Sequence, residues 1–180
     1  MQKQTILLVL ALISFSTALA CAAKSSGNSV SVSPTPTPTP TPGATPIKLT
    51  TDNLKKLRWI EGSWRGTGKD QPAFFERYRF ESDSVLAVDS FEDETLKKVT
   101  ETTRFELKNG EFGGGSEGAR YVATSLDDNS IEFGPALKVR NWFVWKQESK
   151  DAWTAIIKWP ATTDKPARER TYNMERWPKP

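Results

Sequence analysis

From about residue 63 the chain is written largely in a period of two. Phe74, Tyr78 and Phe80 share one face of a segment at 73–81, which a shorter one at 63–68 precedes. Further segments follow at 85–91, 99–107, 120–126, 130–133, 142–148, 152–159 and 168–177. Such alternation sends successive side chains to opposite faces of a strand. Turn residues punctuate the series: Ser82-Asp83-Ser84, Asp127-Asp128-Asn129 and Ser149-Lys150-Asp151. Asn109-Gly110 has the composition of a tight two-residue hairpin turn. The pattern predicts a mainly β domain at 47–180, an antiparallel meander of about 8–10 strands joined by short links. Closure into a barrel would remove exposed sheet edges, but an open sandwich has the same strand count, so both architectures remain open. Gly113-Gly114-Gly115 reads as a flexible loop or bulge, because no strand-to-helix transition follows it as a phosphate cradle would require.

Ahead of the strands the period changes. Leu54, Leu57 and Ile60 are spaced three apart, with Thr51 or Asp52 available as a cap, which predicts about two helical turns. Gly62 can adopt the left-handed backbone that ends such a helix, and Trp64 then opens the first strand.

The first 46 residues share none of this. Residues 1–20 hold Lys3, the apolar run Ile6–Ile13 and then small residues ending in Ala18-Leu19-Ala20, the layout of an export signal. The apolar run is short for a transmembrane helix. Residues 21–46 are Ser/Thr/Pro-rich, with proline at every second position from Pro34 to Pro42, and read as a disordered, semi-rigid spacer in extended polyproline form.

Composition narrows the chemistry. All 22 acidic residues lie after residue 46, and only Lys3 and Lys24 of the 25 basic ones lie before it, which leaves the domain at a net charge of +1. A near-neutral surface of interspersed charges is no phosphate-binding field, so nucleic acid is not an expected partner. The chain has no histidine, which excludes Ser-His and Cys-His catalysis and His-ligated zinc or haem. Cys21 is the single cysteine, so intrachain disulfides and thiolate metal clusters are excluded too. No cofactor or metal is expected, and no residue is assigned a catalytic role. The acidic pairs Glu92/Glu94 and Asp127/Asp128 sit in turns, where solvated charge is the ordinary state.

Candidate binding residues come from polar and aromatic side chains on the predicted strands. Glu76 shares the face of Phe74, Tyr78 and Phe80, and Arg104 stands among threonines in the segment 99–107. If both point inward they form a buried pair or orient a ligand's polar end; otherwise they are solvated charges on outer faces. Tyr121 and Tyr172 are further candidates for interior hydroxyls. Alternation separates Asn141, Phe143 and Trp145 from Trp142 and Val144 without saying which set is inside. The seven tryptophans, all in the domain, either fill a core or line an apolar pocket.

Two resemblances add to this. The join Ala18-Leu19-Ala20-Cys21 is similar to the lipobox of bacterial lipoproteins, with Ala18 where leucine is most usual. The resemblance implies that Cys21 is acylated and becomes the mature N-terminus, so that membrane lipid is a partner; several acyl chains would suffice for stable attachment. Ala22 follows Cys21 in place of the aspartate of inner-membrane retention, which points to the outer membrane, facing the periplasm or the cell surface. The alternative is an ordinary cleaved signal with an incidental cysteine. Separately, a short helix followed by Gly62-Ser63-Trp64, with Arg176 in the last strand, resembles the lipocalin-like (calycin) barrels. The resemblance implies that Arg176 packs across Trp64 near a closed end. Nitrobindin-type barrels of that superfamily begin similarly but hold haem through histidine, a function this chain does not inherit. The expected function is non-catalytic binding of a small apolar or amphipathic ligand by a membrane-tethered barrel in the cell envelope. The alternatives are a structural or protein-interaction module with a filled barrel and, third, an enzyme working in the lumen.

Overall fold

A computed structural model describes residues 44–115 and 118–179. The expected export signal, Cys21 and the expected spacer as far as residue 43 lie outside the described residues. Ten antiparallel strands close into a barrel in simple meander order, each strand beside its neighbours in sequence and the last pairing with the first. They are β1 (Gly62–Gly68), β2 (Phe74–Ser82), β3 (Val85–Phe91), β4 (Val99–Lys108) and β5 (Glu111–Gly114). The second half comprises β6 (Arg120–Leu126), β7 (Ser130–Leu137), β8 (Trp142–Ser149), β9 (Ala152–Trp159) and β10 (Arg168–Arg176). The open sandwich is therefore ruled out.

The strand that the pattern does not announce is β5. Gly113 and Gly114 belong to it, so the glycine run is only partly a loop. A Cβ on Gly113 would stand 2.2 Å from the Tyr121 carbonyl oxygen, and one on Gly114 2.4 Å from that of Arg104. Neighbouring backbones pass too close for side chains, which is why a strand here carries no hydrophobic period. Asn109 and Gly110 both take positive φ, 54° and 79°, as the tight turn from β4 into β5 requires.

The helix before β1 is one α turn, Thr51–Leu54, that tightens into a 3-10 helix over Lys55–Ile60. Its cap is Thr50, one residue before Thr51 and two before Asp52, the expected caps: the Asn53 N–H donates to Thr50 Oγ1, and the Thr50 N–H donates to Asn53 Oδ1 at 2.8 Å. Side chains three apart eclipse one another in a 3-10 helix. Leu54, Leu57 and Ile60 thus form one row, and all three are buried where they close one end of the barrel. The approach to this helix also docks on the barrel, Ala44 N–H to Pro135 O at 2.8 Å, Ile47 N–H to Ala123 O at 3.0 Å and Leu49 N–H to Gly110 O at 2.8 Å.

Register decides what faces inward. Trp64, Phe74, Tyr78, Leu86, Val88, Phe105, Phe112, Ala123, Ile131, Phe133, Phe143, Trp145, Trp153, Ala155, Ile157, Tyr172 and Met174 make one buried interior cluster together with the helix row. The barrel therefore has a helix-closed end, near Trp64, and a mouth formed by the starts of β2, β4, β6, β8 and β10 and the ends of the strands between them.

Candidate functional site

The closed end is assembled around Trp64. Its indole N–H donates to the Ile60 carbonyl at 2.7 Å, which ties the first strand to the last turn of the helix. Arg176 lies opposite Trp64 in the β1–β10 register, its guanidinium carbon 3.9 Å from the ring centroid. That guanidinium also donates to the carbonyl oxygens of Glu61, Trp59 and Lys150, the last two at 3.4 Å, and lies 3.8 Å from the Asp151 carboxylate. Gly62 has φ +121°, and a Cβ there would meet Arg176 Nη1 at 2.1 Å. The glycine, the tryptophan and the arginine are thus one device, with the arginine donating to the helix-end carbonyls of Trp59 and Glu61. All of its parts serve the fold.

Above it, rings fill the barrel. Tyr78 meets Trp145 and Trp153 edge-on, with centroids 5.5 and 5.3 Å away, and Trp153 meets Trp64 at 6.0 Å. Phe133 stacks on Phe143 at 4.6 Å and touches Phe105 at 5.1 Å. Phe143 and Trp145 are therefore the inward set on β8, while Trp142 and Val144 are only half-buried. Unlike Trp64, the indole N–H groups of Trp145 and Trp153 meet no acceptor among the described residues, so ring contacts alone position them.

Polar groups also enter the interior, Glu76 in register with Trp64. Glu76 is 4 % exposed and accepts the Tyr78 hydroxyl at 2.7 Å. Burial pushes its carboxyl up to about 7, the Tyr78 hydrogen bond opposes that, and the charge of Glu101 adds to it. Register places Glu76, Ser90 and Glu101 in one row across β2, β3 and β4. Burial also raises the Tyr78 phenol well above its usual value, with Glu76 reinforcing the rise. Arg104 is not Glu76's partner: it is exposed on the outer face, where it donates to Glu81 at 2.8 and 3.0 Å. From β6 the Tyr121 hydroxyl donates to Asn141 Oδ1 at 2.9 Å, and from β10 the buried Tyr172 accepts from Arg170 at 3.2 Å. Of the candidates, Glu76, Tyr78, Tyr121, Asn141, Phe143, Trp145 and Tyr172 converge on the interior and its upper rim, while Arg104 does not.

Two concavities among the described residues bear on binding. The larger, about 650 Å³, is an open groove on the outside of β4, β5 and β6 left by the missing side chain of Gly113. Its charges are already engaged, Arg104 with Glu81, Lys108 with Glu106 and Arg120 with Glu111 at 3.8 Å. The smaller, about 240 Å³, is more enclosed and sits at the mouth, where β9 turns over into β10. Trp159, Pro160 and Pro166 supply apolar surface, and Arg140, Lys165 and Arg168 surround it. Trp159 continues the inward row Trp153, Ala155, Ile157, and Arg168 faces it in register with its guanidinium 4.6 Å from the ring centroid. Arg140 and Arg168 escape a reading of the sequence, and Trp159 enters it only as one of the seven tryptophans. The only further signal there is that Trp159 and Arg168 continue the alternations ending in buried Ile157 and leading to buried Tyr172. Among the described residues no group of three or more His, Cys, Asp or Glu side chains is placed to hold a metal ion.

No protein-family model matches the chain, and no curated protein matches it in sequence. Several solved structures resemble it in shape. A protein of unknown function from the DUF3598 family of Nostoc punctiforme is 15 % identical over 76 % of this chain, with a TM-score of 0.43; the match spans 52 % of that protein, about half its length. EF1p2_mFAP2b bound to DFHBI is 9 % identical over 67 % of this chain and 96 % of its own, with a TM-score of 0.34. The redesigned β-barrel mFAP1, also bound to DFHBI, is 13 % identical over 66 % of this chain and 96 % of its own, with a TM-score of 0.33.

Proposed function

We propose that this protein is an exported, lipid-anchored barrel of the lipocalin-like kind that binds a small apolar or amphipathic molecule without catalysis. The ligand enters at the mouth, and the observation that carries this is the half-enclosed pocket beside Trp159, above an interior already occupied by rings. The packed interior directs the reading upward: a ligand displacing Trp145 or Phe133 would forfeit several kcal/mol of burial, roughly 1.5–3 kcal/mol per large side chain. Support for the lipocalin-like kinship is the Gly62, Trp64 and Arg176 device. The anchor rests on Cys21 and its preceding small residues, and the outer membrane on Ala22. Titrating the protein with a panel of fatty acids, lysolipids and aromatic compounds while following tryptophan emission should give a saturable response. If no compound produces one, the ring-filled barrel instead serves as an interaction module of the envelope, the second reading, which the density of buried rings favours. Cys21→Ser should move the protein from the membrane fraction to the soluble one; retention in the membrane would remove the basis for the anchor.

A further inference from the structure

We propose that the ligand held at the mouth is a small organic acid, with a flat apolar body against Trp159 and its anionic group turned to Arg140, Lys165 and Arg168. The inference rests on the mouth being the binding site and adds the class of molecule it takes. Arg140, Lys165 and Arg168 join no ion pair among the described residues, and no carboxylate lines the pocket. Asp164 lies in the same turn and Glu169 on the same strand, but Glu169 alternates away from Arg168 and pairs in register with Lys158. The cations of the outer groove, by contrast, each pair with a glutamate: Lys108 with Glu106 on its own strand, Arg120 with Glu111 one strand away and Arg104 with Glu81 two strands away. Three like charges around a small apolar hollow repel one another, and an anion entering between them relieves that repulsion while gaining charge-assisted hydrogen bonds.

The apolar half of the recognition is equally local. Arg168 lies over the Trp159 ring, so cation and aromatic plate are held at a fixed offset. Pro160 and Pro166 bring rigid apolar surface with no N–H to satisfy. The volume of about 240 Å³ is below the ~300–1,000 Å³ usual for drug-sized ligands. That size suits one or two fused rings carrying a single acid group better than a long acyl chain. An anionic lipid headgroup offers the same acid chemistry, so the test separates the two sources.

The probes are 1-naphthoate, its neutral isostere 1-naphthamide, and vesicles of phosphatidylglycerol, added to the full chain carrying Cys21→Ser so that no detergent is needed. Calorimetry should show 1-naphthoate binding about tenfold tighter than 1-naphthamide at low salt, as expected for a charge-assisted contact. The double variant Arg140→Gln/Arg168→Gln should abolish that preference, weakening 1-naphthoate about tenfold more than 1-naphthamide; both positions are exposed, so the barrel itself is not at stake. Equal affinity for the two naphthyl compounds would overturn the acid and leave the mouth as the site. Binding of neither would overturn both. Vesicle binding that depends on Arg140 and Arg168, with no 1-naphthoate binding, would overturn the free acid in favour of a headgroup.

Discussion

Strand β10 begins and ends with an arginine, and each lies over a tryptophan of a neighbouring strand. Arg176 covers Trp64 at 3.9 Å and Arg168 covers Trp159 at 4.6 Å. The chemistry of the two pairs is the same, but their surroundings are not. Trp64 is 1 % exposed, its N–H is bonded to Ile60, and Arg176 is consumed by backbone carbonyls and the approach of Asp151. Trp159 is half-buried, and the Arg168 guanidinium makes no hydrogen bond or ion pair among the described residues. A saturated pair is a structural joint; an unsaturated one beside a hollow has bonding capacity left for another molecule. The barrel thus spends the same motif on stability at one end and leaves it available at the other.

The contrast between the two ends is easiest to upset at the closed one. Trp64→Ala should cost ~3–5 kcal/mol, the usual loss for a buried tryptophan, because the helix row, Trp153 and Arg176 all pack on it. Urea denaturation measures this directly. A loss below ~1 kcal/mol would show that the closed end is not held by its tryptophan. Trp159→Ala should lose a fraction as much, since its side chain is only partly buried.

Next in size is a pH effect from Glu76. Its carboxyl titrates at about 7 in the fold against a usual 4.5, so the folded state binds the proton more tightly than the unfolded chain. The stability that this proton confers is complete below 4.5 and lost as pH rises through 7. Between pH 5 and pH 8 the loss should be about 2–3 kcal/mol, at ~1.36 kcal/mol for each pH unit separating the two titrations. Glu81, held at about 2 by Arg104 and then Arg79, acts with the opposite sign and below that window. Thermal melts across pH 5–8 should therefore show falling stability with rising pH, and Glu76→Gln should flatten the slope. An unchanged slope in the variant would mean that the buried charge is compensated elsewhere.

The closed end is legible in the sequence and the mouth is not, for a physical reason. Gly62, Trp64 and the row Leu54, Leu57, Ile60 are neighbours in sequence, so spacing displays the helix, its stop and the tryptophan, while Arg176 is picked out by the resemblance to the lipocalin-like barrels. The mouth depends on register across the link 160–167, which no local pattern encodes. Arg104 shows the same limit. In β4 Thr103 and Phe105 alternate with Thr102, Arg104 and Glu106, and with threonines on both faces polarity does not say which one is inside. The strand β5 is hidden because Gly113 and Gly114 have no side chains to alternate; only the turn at Asn109-Gly110, which needs a strand on each side, hints at it.

Smaller effects separate the two arginines further. Gly62→Ala places a methyl group against Arg176 Nη1 at a backbone angle that L residues rarely adopt, and should cost ~1–3 kcal/mol. The double variant Gly62→Ala/Arg176→Ala separates the two causes: relief of part of the loss assigns it to the collision, and strict additivity to the backbone alone. Arg168→Gln is the smallest and the most telling. It removes an exposed cation from a half-buried ring, worth about 0.5–1 kcal/mol at most, so the unfolding midpoint should barely move. Arg176→Gln, which strands the Glu61 and Trp59 carbonyls, should shift it clearly downward. Equal shifts for the two substitutions would mean that the fold depends on Arg168 as heavily as on Arg176, and an arginine held that firmly by the barrel has no bonding capacity left to offer a ligand.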